Sequence, residues 1–222
     1  MAVFERSELR DALGRAVVGP RPDTLATLTE TARIWIAQPG DEIYRQGEPV
    51  PLTLILRGYG LAVRTTIDGQ QLASGVAPAG VLFGYSGIAS SPSSIEMIAL
   101  TDCIVAQWSG PQLRALVAAD SGLALAAIDS MAASLHQSVE RIEGFLHQDA
   151  RRRVLRILSR HRSLFFEEPT VLDRTHLPGL VGTSREMTGR VLRQLEREGT
   201  LARVGRAGLR LLRPDRLEAG PT

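Results

Sequence analysis

The chain has 222 residues and a mass of 24.1 kDa, enough for one large domain or two small ones. Hydrophobic residues make up 44% of it and charged residues 23%, which is the composition of a globular protein and excludes a disordered one. No apolar run approaches the roughly 18 residues of a membrane helix, and acids and bases alternate through the first dozen residues. We therefore expect a cytoplasmic protein with neither a membrane span nor a secretory signal.

The net charge of +2 is unevenly distributed along the chain. Residues 150–222 carry 16 arginines against 8 acidic residues, whereas residues 1–149 carry 10 arginines against 16 acids. A basic C-terminal third joined to an acidic remainder favours a nucleic-acid-binding head on a sensor or scaffold. The alternative is a basic face that is merely solvated.

The single cysteine, Cys103, limits the redox and metal chemistry of the chain. It excludes an intrachain disulfide and any all-cysteine metal or iron–sulfur site within one chain, so no cofactor is predicted. A haem stays open because one His or Cys ligand suffices, although no spacing indicates one. Cys103 lies in an apolar run, where a free cysteine behaves as a small buried hydrophobe.

Short helices are predicted at residues 5–18 and 22–33, followed by a β-rich region. From Gly40 to Gly87 glycines recur every 2–11 residues, and β-rich runs lie at residues 52–56, 61–66 and 103–108. Many short strands with regular turn signals predict a sandwich, jelly roll or barrel. The pair Asp68-Gly69 predicts a hairpin with a type I′ turn, since both residues tolerate a positive φ.

From Pro111 the periodicity becomes helical. Pro111 suits the first turn of one helix, and Asp120 or Ser121 can cap a second, longer one. Seven apolar residues of this second helix are spaced alternately by three and four, which is the a/d seam of a coiled coil over three heptads. This seam consists of Leu125, Ile128, Ala132, Leu135, Val139, Ile142 and Leu146. It favours a homodimer; the alternative is a helix packed on its own domain. His136 and His147 are expected at the surface of this helix.

Asp149 is predicted to cap a further helix whose apolar positions are Val154, Leu155 and Leu158. Three parts follow: a jelly-roll sensor domain at 1–120, a dimerisation helix at 121–148 and a DNA-binding domain at 149–222.

A helix–turn–helix is predicted within this last part, with helices at 173–181 and 185–198. Thr183 or Ser184 can cap the second helix, and Thr183 with Glu186 fits a capping box. One side of that helix is apolar (Met187, Val191, Leu192 and Leu195), and the other carries Arg185, Glu186, Arg190, Arg193 and Arg197. Arginine can pair with guanine and a carboxylate with cytosine in the major groove; for Glu186 the alternative is capping alone.

Two features flank this motif. Residues 201–204 and 209–212 predict a β-hairpin wing whose tip residue Arg206 can reach a phosphate. With Asp173 as the cap of the first helix, Pro178 falls just beyond the first turn, so we expect that helix to be short or bent.

Residues 182–196, GTSREMTGRVLRQLE, closely resemble the helix–turn–helix signature of the CRP/FNR family of bacterial transcription regulators. Residues 39–49, residues 54–58 and Leu82-Phe83-Gly84 are similar to that family's cyclic-nucleotide-binding jelly roll. The resemblance implies an α+β fold: an N-terminal jelly roll, a long dimerisation helix and a C-terminal winged helix–turn–helix. It also implies a homodimer on a two-fold-symmetric operator in double-stranded DNA, and RNA polymerase as a partner if the protein activates. Arg185, Glu186 and Arg190 would then read a TGTGA-like half-site.

The sequence departs from this family where cyclic AMP would bind. The family's cyclic-AMP receptors hold the ribose with a glutamate just after Phe-Gly and the phosphate with an arginine, but Tyr85 and Ser93 stand at those positions here. No basic residue lies between Arg64 and Arg114 to replace the arginine, so cyclic AMP in the usual mode is not expected. The hydroxyl groups of the serine-rich loop at residues 86–94 could hold another, unknown effector; the alternative is that this loop is only a flexible turn. The candidate ligand residues are Gly84, Tyr85, Ser86, Ser93, Ser94 and Ser138. The four-cysteine oxygen-sensing branch of the family is excluded.

The resulting hypothesis is a DNA-binding regulator whose effector, if any, is not classically bound cyclic AMP. The alternative is a ligand-binding regulatory module that acts through protein partners and has an impaired DNA head. We expect no enzyme, since the sequence shows neither a nucleophile–base pair nor a metal-ligand cluster nor a phosphate-binding glycine loop.

Overall fold

A computed structural model of the chain describes residues 5–69 and 71–218. It divides into an N-terminal unit, Met1–Asp68 with Ser74–Gln137, and a C-terminal unit, Gly69–Ala73 with Ser138–Thr222. Among the described residues, no helix combines the length and apolarity that a membrane crossing requires. The predicted three-part division at residues 120 and 148 stays a prediction.

Two four-stranded antiparallel sheets form the jelly roll. Their strand orders are β1-β8-β3-β6 and β2-β7-β4-β5. The strands are β1 (Arg33–Ala37), β2 (Glu42–Tyr44), β3 (Leu52–Arg57), β4 (Tyr59–Thr65), β5 (Gln71–Pro78), β6 (Leu82–Phe83), β7 (Glu96–Ala99) and β8 (Cys103–Trp108). The predicted β-rich runs thus coincide with β3, β4 and β8.

The turn between β4 and β5 differs from the prediction. Gly69 has a φ of 74°, but Asp68 does not adopt a positive φ. Because β4 ends at Thr65 and β5 begins at Gln71, the connection is also longer than a two-residue turn. The predicted type I′ hairpin is therefore wrong, although the hairpin itself is present.

Four helices and one short 3-10 helix complete the N-terminal part of the fold. They are α1 (Arg6–Ala16), α2 (Pro22–Thr31), the 3-10 helix Tyr85–Ala89, α3 (Gly110–Ala119) and α4 (Ser121–His147). Leu9 and Leu13 of α1 pack with Leu113 of α3 and Leu123 of α4 in one buried cluster. The indole of Trp108 joins that cluster. The N-terminal helices are thus part of the core of the N-terminal unit.

Asp120 joins two of these helices. One carboxylate oxygen accepts hydrogen bonds from the backbone N–H groups of Gly122 (2.9 Å) and Leu123 (3.4 Å) at the start of α4. The other accepts the N–H of Arg21, the residue that precedes α2, at 2.8 Å. The side chain of Thr24 and these backbone donors stabilise the charged form and lower the pKa of Asp120 from 3.8 to about 2. The predicted capping of α4 by Asp120 is thus confirmed, and the same carboxylate also binds the backbone at the start of α2.

The C-terminal unit is a compact helical body with a two-stranded sheet. Its elements are the end of α4, α5 (Ala150–Arg160), α6 (Arg162–Phe166), α7 (Leu177–Val181), α8 (Arg185–Arg197), β9 (Leu201–Val204), β10 (Gly208–Leu211) and α9 (Asp215–Glu218). Val154, Leu158, Phe165, Leu192 and Leu195 are among its fully or almost fully buried side chains. Asp149 caps α5 as predicted, accepting the N–H of Arg152 at 2.8 Å.

Candidate nucleic-acid interface

Helices α7 and α8 are joined by a tight turn that requires glycine at residue 182. Gly182 is left-handed with a φ of 66°, and its N–H bonds to the carbonyl of Pro178 at 3.0 Å. A Cβ on Gly182 would lie 2.3 Å from the ring of Phe145, near the end of α4. Both the backbone conformation and this close packing therefore exclude a side chain, and together they fix the turn ahead of α8.

The first helix of the motif is short, as expected, but for a different reason. It spans only Leu177–Val181, its N-terminal flanking residue is His176 and not Asp173, and Pro178 lies in its first turn. Asp173 instead stabilises the preceding turn, where its carboxylate accepts the N–H of Thr175 at 2.8 Å. The expected cap was thus wrong, and Pro178 needs no bend because a first-turn proline gives up no helical hydrogen bond.

Ser184 is the N-cap of α8. Its hydroxyl accepts the N–H of Met187 at 3.1 Å, and its backbone is extended. Thr183 lies before the cap, so the predicted Thr183–Glu186 capping box is wrong. The side chain of Glu186 is oriented instead by Arg190, one turn further along the helix, with 3.2 Å between Oε1 and Nη2.

The two faces of α8 differ sharply in exposure. Val191, Leu192 and Leu195 are buried as predicted, together with Thr188, whose hydroxyl donates to the carbonyl of Ser184 at 3.0 Å. Met187 is only half-buried. The side chains on the outer face are exposed, and they are Arg185, Glu186, Arg190, Arg193 and Arg197. This face presents four guanidinium groups and one carboxylate, the groups that pair with guanine and cytosine edges.

The wing follows α8 directly. β9 and β10 pair antiparallel from Leu201↔Leu211 to Val204↔Gly208. Arg206 lies exposed in the turn between them. Arg203 of β9 bonds to Glu196 of α8 at 2.7 Å, so the wing is fastened to the helix that it follows.

The end of α4 is tied to α5 within the same unit. The guanidinium of Arg153 lies 5.4 Å from the centroid of the Phe145 ring, the ring that also packs on Gly182. Arg151 of α5 pairs with Glu198 at 2.8 Å, beyond the C-terminus of α8, and this pairing lowers the pKa of Glu198. The contacts of Phe145 were missed at the level of sequence, because nothing in a linear pattern marks a partner 37 positions away.

The seam of α4 is exposed within the chain. Its large side chains are between 46% exposed (Val139) and 72% exposed (Leu146), and Ala132 is exposed as well. The side chains that α4 buries in the N-terminal unit are others, such as Leu123 and Ala127. His136 and His147 are exposed, as expected.

The candidate ligand residues of the sensor mostly serve the fold. Gly84 is left-handed, and a Cβ there would lie 2.1 Å from the carbonyl oxygen of Pro51. Tyr85 is 4% exposed within the core cluster, and burial raises its pKa to about 12. A buried neutral phenol at this position supplies no charge for a ligand. Ser86, by contrast, is exposed.

Ser93 is buried and occupied by its own backbone neighbourhood. Its hydroxyl donates to the carbonyl of Ile95 at 2.5 Å, and its N–H bonds to the carbonyl of Glu48 at 2.7 Å. Ser94 is exposed, and Ser138 of α4 accepts a hydrogen bond from Arg141 at 3.3 Å. The arrangement at Ser93 therefore offers a phosphate neither a charge nor an unused hydroxyl proton.

Cys103 is fully buried at the start of β8. Its thiol lies 3.3 Å from the carbonyl oxygen of Tyr59, and burial raises its pKa. The expected small buried hydrophobe is confirmed. Within residues 5–69 and 71–218 no group of three or more His, Cys, Asp or Glu side chains could hold a metal ion.

A jelly roll followed by a winged helix–turn–helix with an exposed basic face is the architecture of a two-part DNA-binding protein. Two family models match the chain: a cyclic nucleotide-binding domain at residues 36–120 and a Crp-like helix-turn-helix domain at residues 141–219. The chain belongs to the CRP/FNR family of DNA-binding transcription regulators. This is a family of regulators and not of enzymes.

Solved structures show the same fold at low sequence identity. The chain is 23% identical to CLP, a c-di-GMP-responsive global regulator from Xanthomonas campestris, covering 87% of this chain and 100% of that one with a TM-score of 0.72. It is 22% identical to FixK2 from Bradyrhizobium japonicum, covering 85% and 96% with a TM-score of 0.70. A protein from Eubacterium rectale described as a transcriptional regulator of the CRP/FNR family is 15% identical, covering 90% and 94% with a TM-score of 0.78. No curated protein matches the chain.

Proposed function

We propose that this regulator acts as a homodimer that assembles through the seam of α4. The exposed apolar side chains of the seam carry this proposal. They recur at a/d spacing over three heptads, and a second copy of the same helix would cover them symmetrically. Left in water, so long a row of Leu, Ile and Val would form an apolar patch that monomers rarely expose.

A two-fold dimer binds an operator with matching symmetry. Its two α8 helices would then enter successive major grooves, about one helical turn apart. Arg185, Glu186 and Arg190 would read base edges of a TGTGA-like half-site. Contacts to phosphate would come from Thr183, Ser184, Arg193 and, at the wing tip, Arg206. If the protein activates transcription, RNA polymerase would be a further partner.

The sensor would respond to something other than cyclic AMP in its usual mode, or to no ligand. Support comes from the buried, hydrogen-bonded Ser93 and the buried, neutral Tyr85, which stand where charged ligand contacts would be needed. Of the candidate ligand residues in the N-terminal unit, only Ser86 and Ser94 present exposed side chains. The effector, if there is one, is thus proposed not to be cyclic AMP held in the usual mode.

The test is a fluorescence-anisotropy titration of the purified protein against a palindromic TGTGA-type duplex and a scrambled duplex. It is run at fixed salt, with and without cyclic AMP, and repeated at several salt concentrations because phosphate contacts make affinity salt-dependent. Selective binding that the nucleotide leaves unchanged is expected. Binding that appears only with cyclic AMP would overturn the account of Tyr85 and Ser93.

The alternative of a partner-binding module with an impaired DNA head predicts a different result. Such a protein would show no salt-dependent affinity for either duplex. The exposed recognition face of α8 and the first-turn position of Pro178 both favour a working head. A loss of all DNA binding in the titration would reverse this preference.

A further inference from the structure

A groove of about 410 Å³ lies in the N-terminal unit, bordered by the 3-10 helix, α3 and α4. This volume is within the range of small-molecule sites, which runs from about 300 to 1,000 Å³. Its lining includes Ser86, Ile88, Arg114, Val117, Ala118 and Met131. The lining also includes Tyr85, which stands where the family's ribose-binding glutamate would be, but not Ser93, which stands where its phosphate-binding arginine would be.

Glycines hold two walls of this groove together. A Cβ on Gly87 of the 3-10 helix would lie 2.3 Å from the carbonyl oxygen of Val50. A Cβ on Gly110, at the start of α3, would lie 2.7 Å from the carbonyl oxygen of Gly87. The backbone of α3 can approach the 3-10 helix so closely because Gly110 lacks a side chain, and Gly87 likewise lets the 3-10 helix lie against Val50. The groove is therefore preformed, which lowers the entropic cost of binding a ligand.

Arg114 connects the same two walls and brings a positive charge to the groove. Its Nη1 donates to the carbonyl of Ile88 at 3.1 Å, which uses one of the five N–H donors of the guanidinium. It is the one arginine between Arg64 and Arg141 in the sequence, and no acidic residue lines the groove. The positive charge beside the groove is thus not neutralised from within the lining.

The remainder of the lining is almost entirely apolar. Ile88, Val117 and Met131 supply aliphatic and thioether surface, and Ser86 adds a hydroxyl. Met131 is 41% exposed, so part of this apolar surface has no cover in the chain. A sugar ring would lose its hydration against this apolar surface with few hydrogen bonds in return, whereas an aliphatic chain would gain by burial.

We propose that this groove binds a small amphiphile that has an aliphatic chain and a single carboxylate. The aliphatic chain of the ligand lies along Ile88, Val117 and Met131, and its carboxylate pairs with the guanidinium of Arg114. Met131 is on α4 one turn from Leu135 of the seam, so the bound ligand contacts the helix that carries the proposed dimer interface. Binding itself does not depend on the proposed DNA function.

The test uses octanoate, below its critical micelle concentration, and 1-octanol as the uncharged probe of equal chain length. The DNA-free protein is labelled with ¹³C at its methionine methyl groups. The methyl signal of Met131 should shift saturably with octanoate, while those of Met97 in the jelly roll and Met187 on α8 stay in place. Because no DNA is present, failure here leaves the proposed DNA function intact.

Four variants define the site. Ala118→Phe fills the groove from an exposed position and should weaken octanoate binding at least about tenfold; Ala119→Phe, on the next residue but outside the lining, should not. The wild type should bind octanoate about tenfold more tightly than octanol, and Arg114→Gln should abolish this preference. Arg114→Lys keeps the positive charge and should retain much of the preference. An unmoved Met131 signal, a shift that survives Ala118→Phe, or equal affinity for octanol in the wild type would overturn the proposal.

Discussion

The start of α8 and the segment that follows Phe83-Gly84 are both places where the sequence predicts contacts with a partner, yet they differ in the structure. At the start of α8, the side chains of Arg185, Glu186 and Arg190 point away from the core and are exposed. After Phe83-Gly84, Tyr85 is buried in the core. In the first region the fold displays the predicted groups, and in the second it uses one of them for packing.

This difference shows that a residue at a position that is functional in the family need not have the same function in this chain. A residue can contribute to recognition only if its polar atoms are accessible and their contacts within the protein leave a donor or acceptor unused or are easily exchanged. Ser93 is expected from the sequence resemblance at a phosphate-binding position, but its hydroxyl is bonded to the backbone of Ile95. Arg190 has only a surface ion pair with Glu186, which is worth about 0.3–0.5 kcal/mol and is readily exchanged for a base.

The largest expected effect concerns the seam, through which we propose that the protein dimerises. Leu135→Glu should weaken the proposed dimer at least about 100-fold, since it removes two leucines that the interface would bury and places two carboxylates there. Multi-angle light scattering should show the mass falling from twice 24.1 kDa to 24.1 kDa. Ala133→Glu, an equal charge off the seam on the same helix, is the control and should stay dimeric. A dimer that survives Leu135→Glu would remove the seam from the interface.

The next-largest effect concerns DNA binding by α8. Arg190→Ala should cost about 1–3 kcal/mol on the cognate duplex, about 5- to 150-fold in affinity, and relax sequence selectivity. Anisotropy with specific and scrambled duplexes measures both quantities. Arg33→Ala removes an exposed arginine from β1 of the other unit and should have little effect. If Arg190→Ala bound both duplexes as the wild type does, Arg190 would not contact bases.

A third prediction concerns pH and the buried carboxylate of Asp120. Its pKa in the folded protein, about 2, lies below the ordinary value of 3.8, so the charged form stabilises the fold fully above about pH 4. This stabilisation is lost as the pH falls from 4 towards 2, and thermal unfolding of the N-terminal unit should shift to lower temperature over that window. Asp120→Asn should lower the melting temperature at pH 7 and flatten the same acid-dependent step. An unchanged step in that variant would exclude Asp120 as its source.

The smallest effect tests the corrected cap of α8. Ser184→Ala should cost about 1 kcal/mol of the free energy of unfolding of the C-terminal unit, because the N–H of Met187 loses its acceptor. Thr183→Ala should cost much less, since Thr183 precedes the cap. Urea denaturation followed by far-UV circular dichroism measures the difference. A larger loss of unfolding free energy in Thr183→Ala than in Ser184→Ala would identify Thr183 as the cap.

Sequence reasoning succeeded where the signal is local. The alternating spacing of the seam predicted α4, and Asp149 predicted the start of α5, because caps and helical periods involve residues within one or two turns. It was less accurate where two local solutions compete. Thr183 and Ser184 are both good caps, and only the observed turn at Gly182 selects Ser184.

The sequence by itself therefore determined the order of the elements, the two faces of α8 and the family to which the chain belongs. Only the tertiary structure decided that Tyr85 is a core residue, that Asp120 holds two helices and that the ring of Phe145 lies on Gly182. The physical reason is the range of the interactions. Periods and caps are set by neighbours along the chain, whereas burial and close backbone approach depend on residues that packing brings together from distant positions.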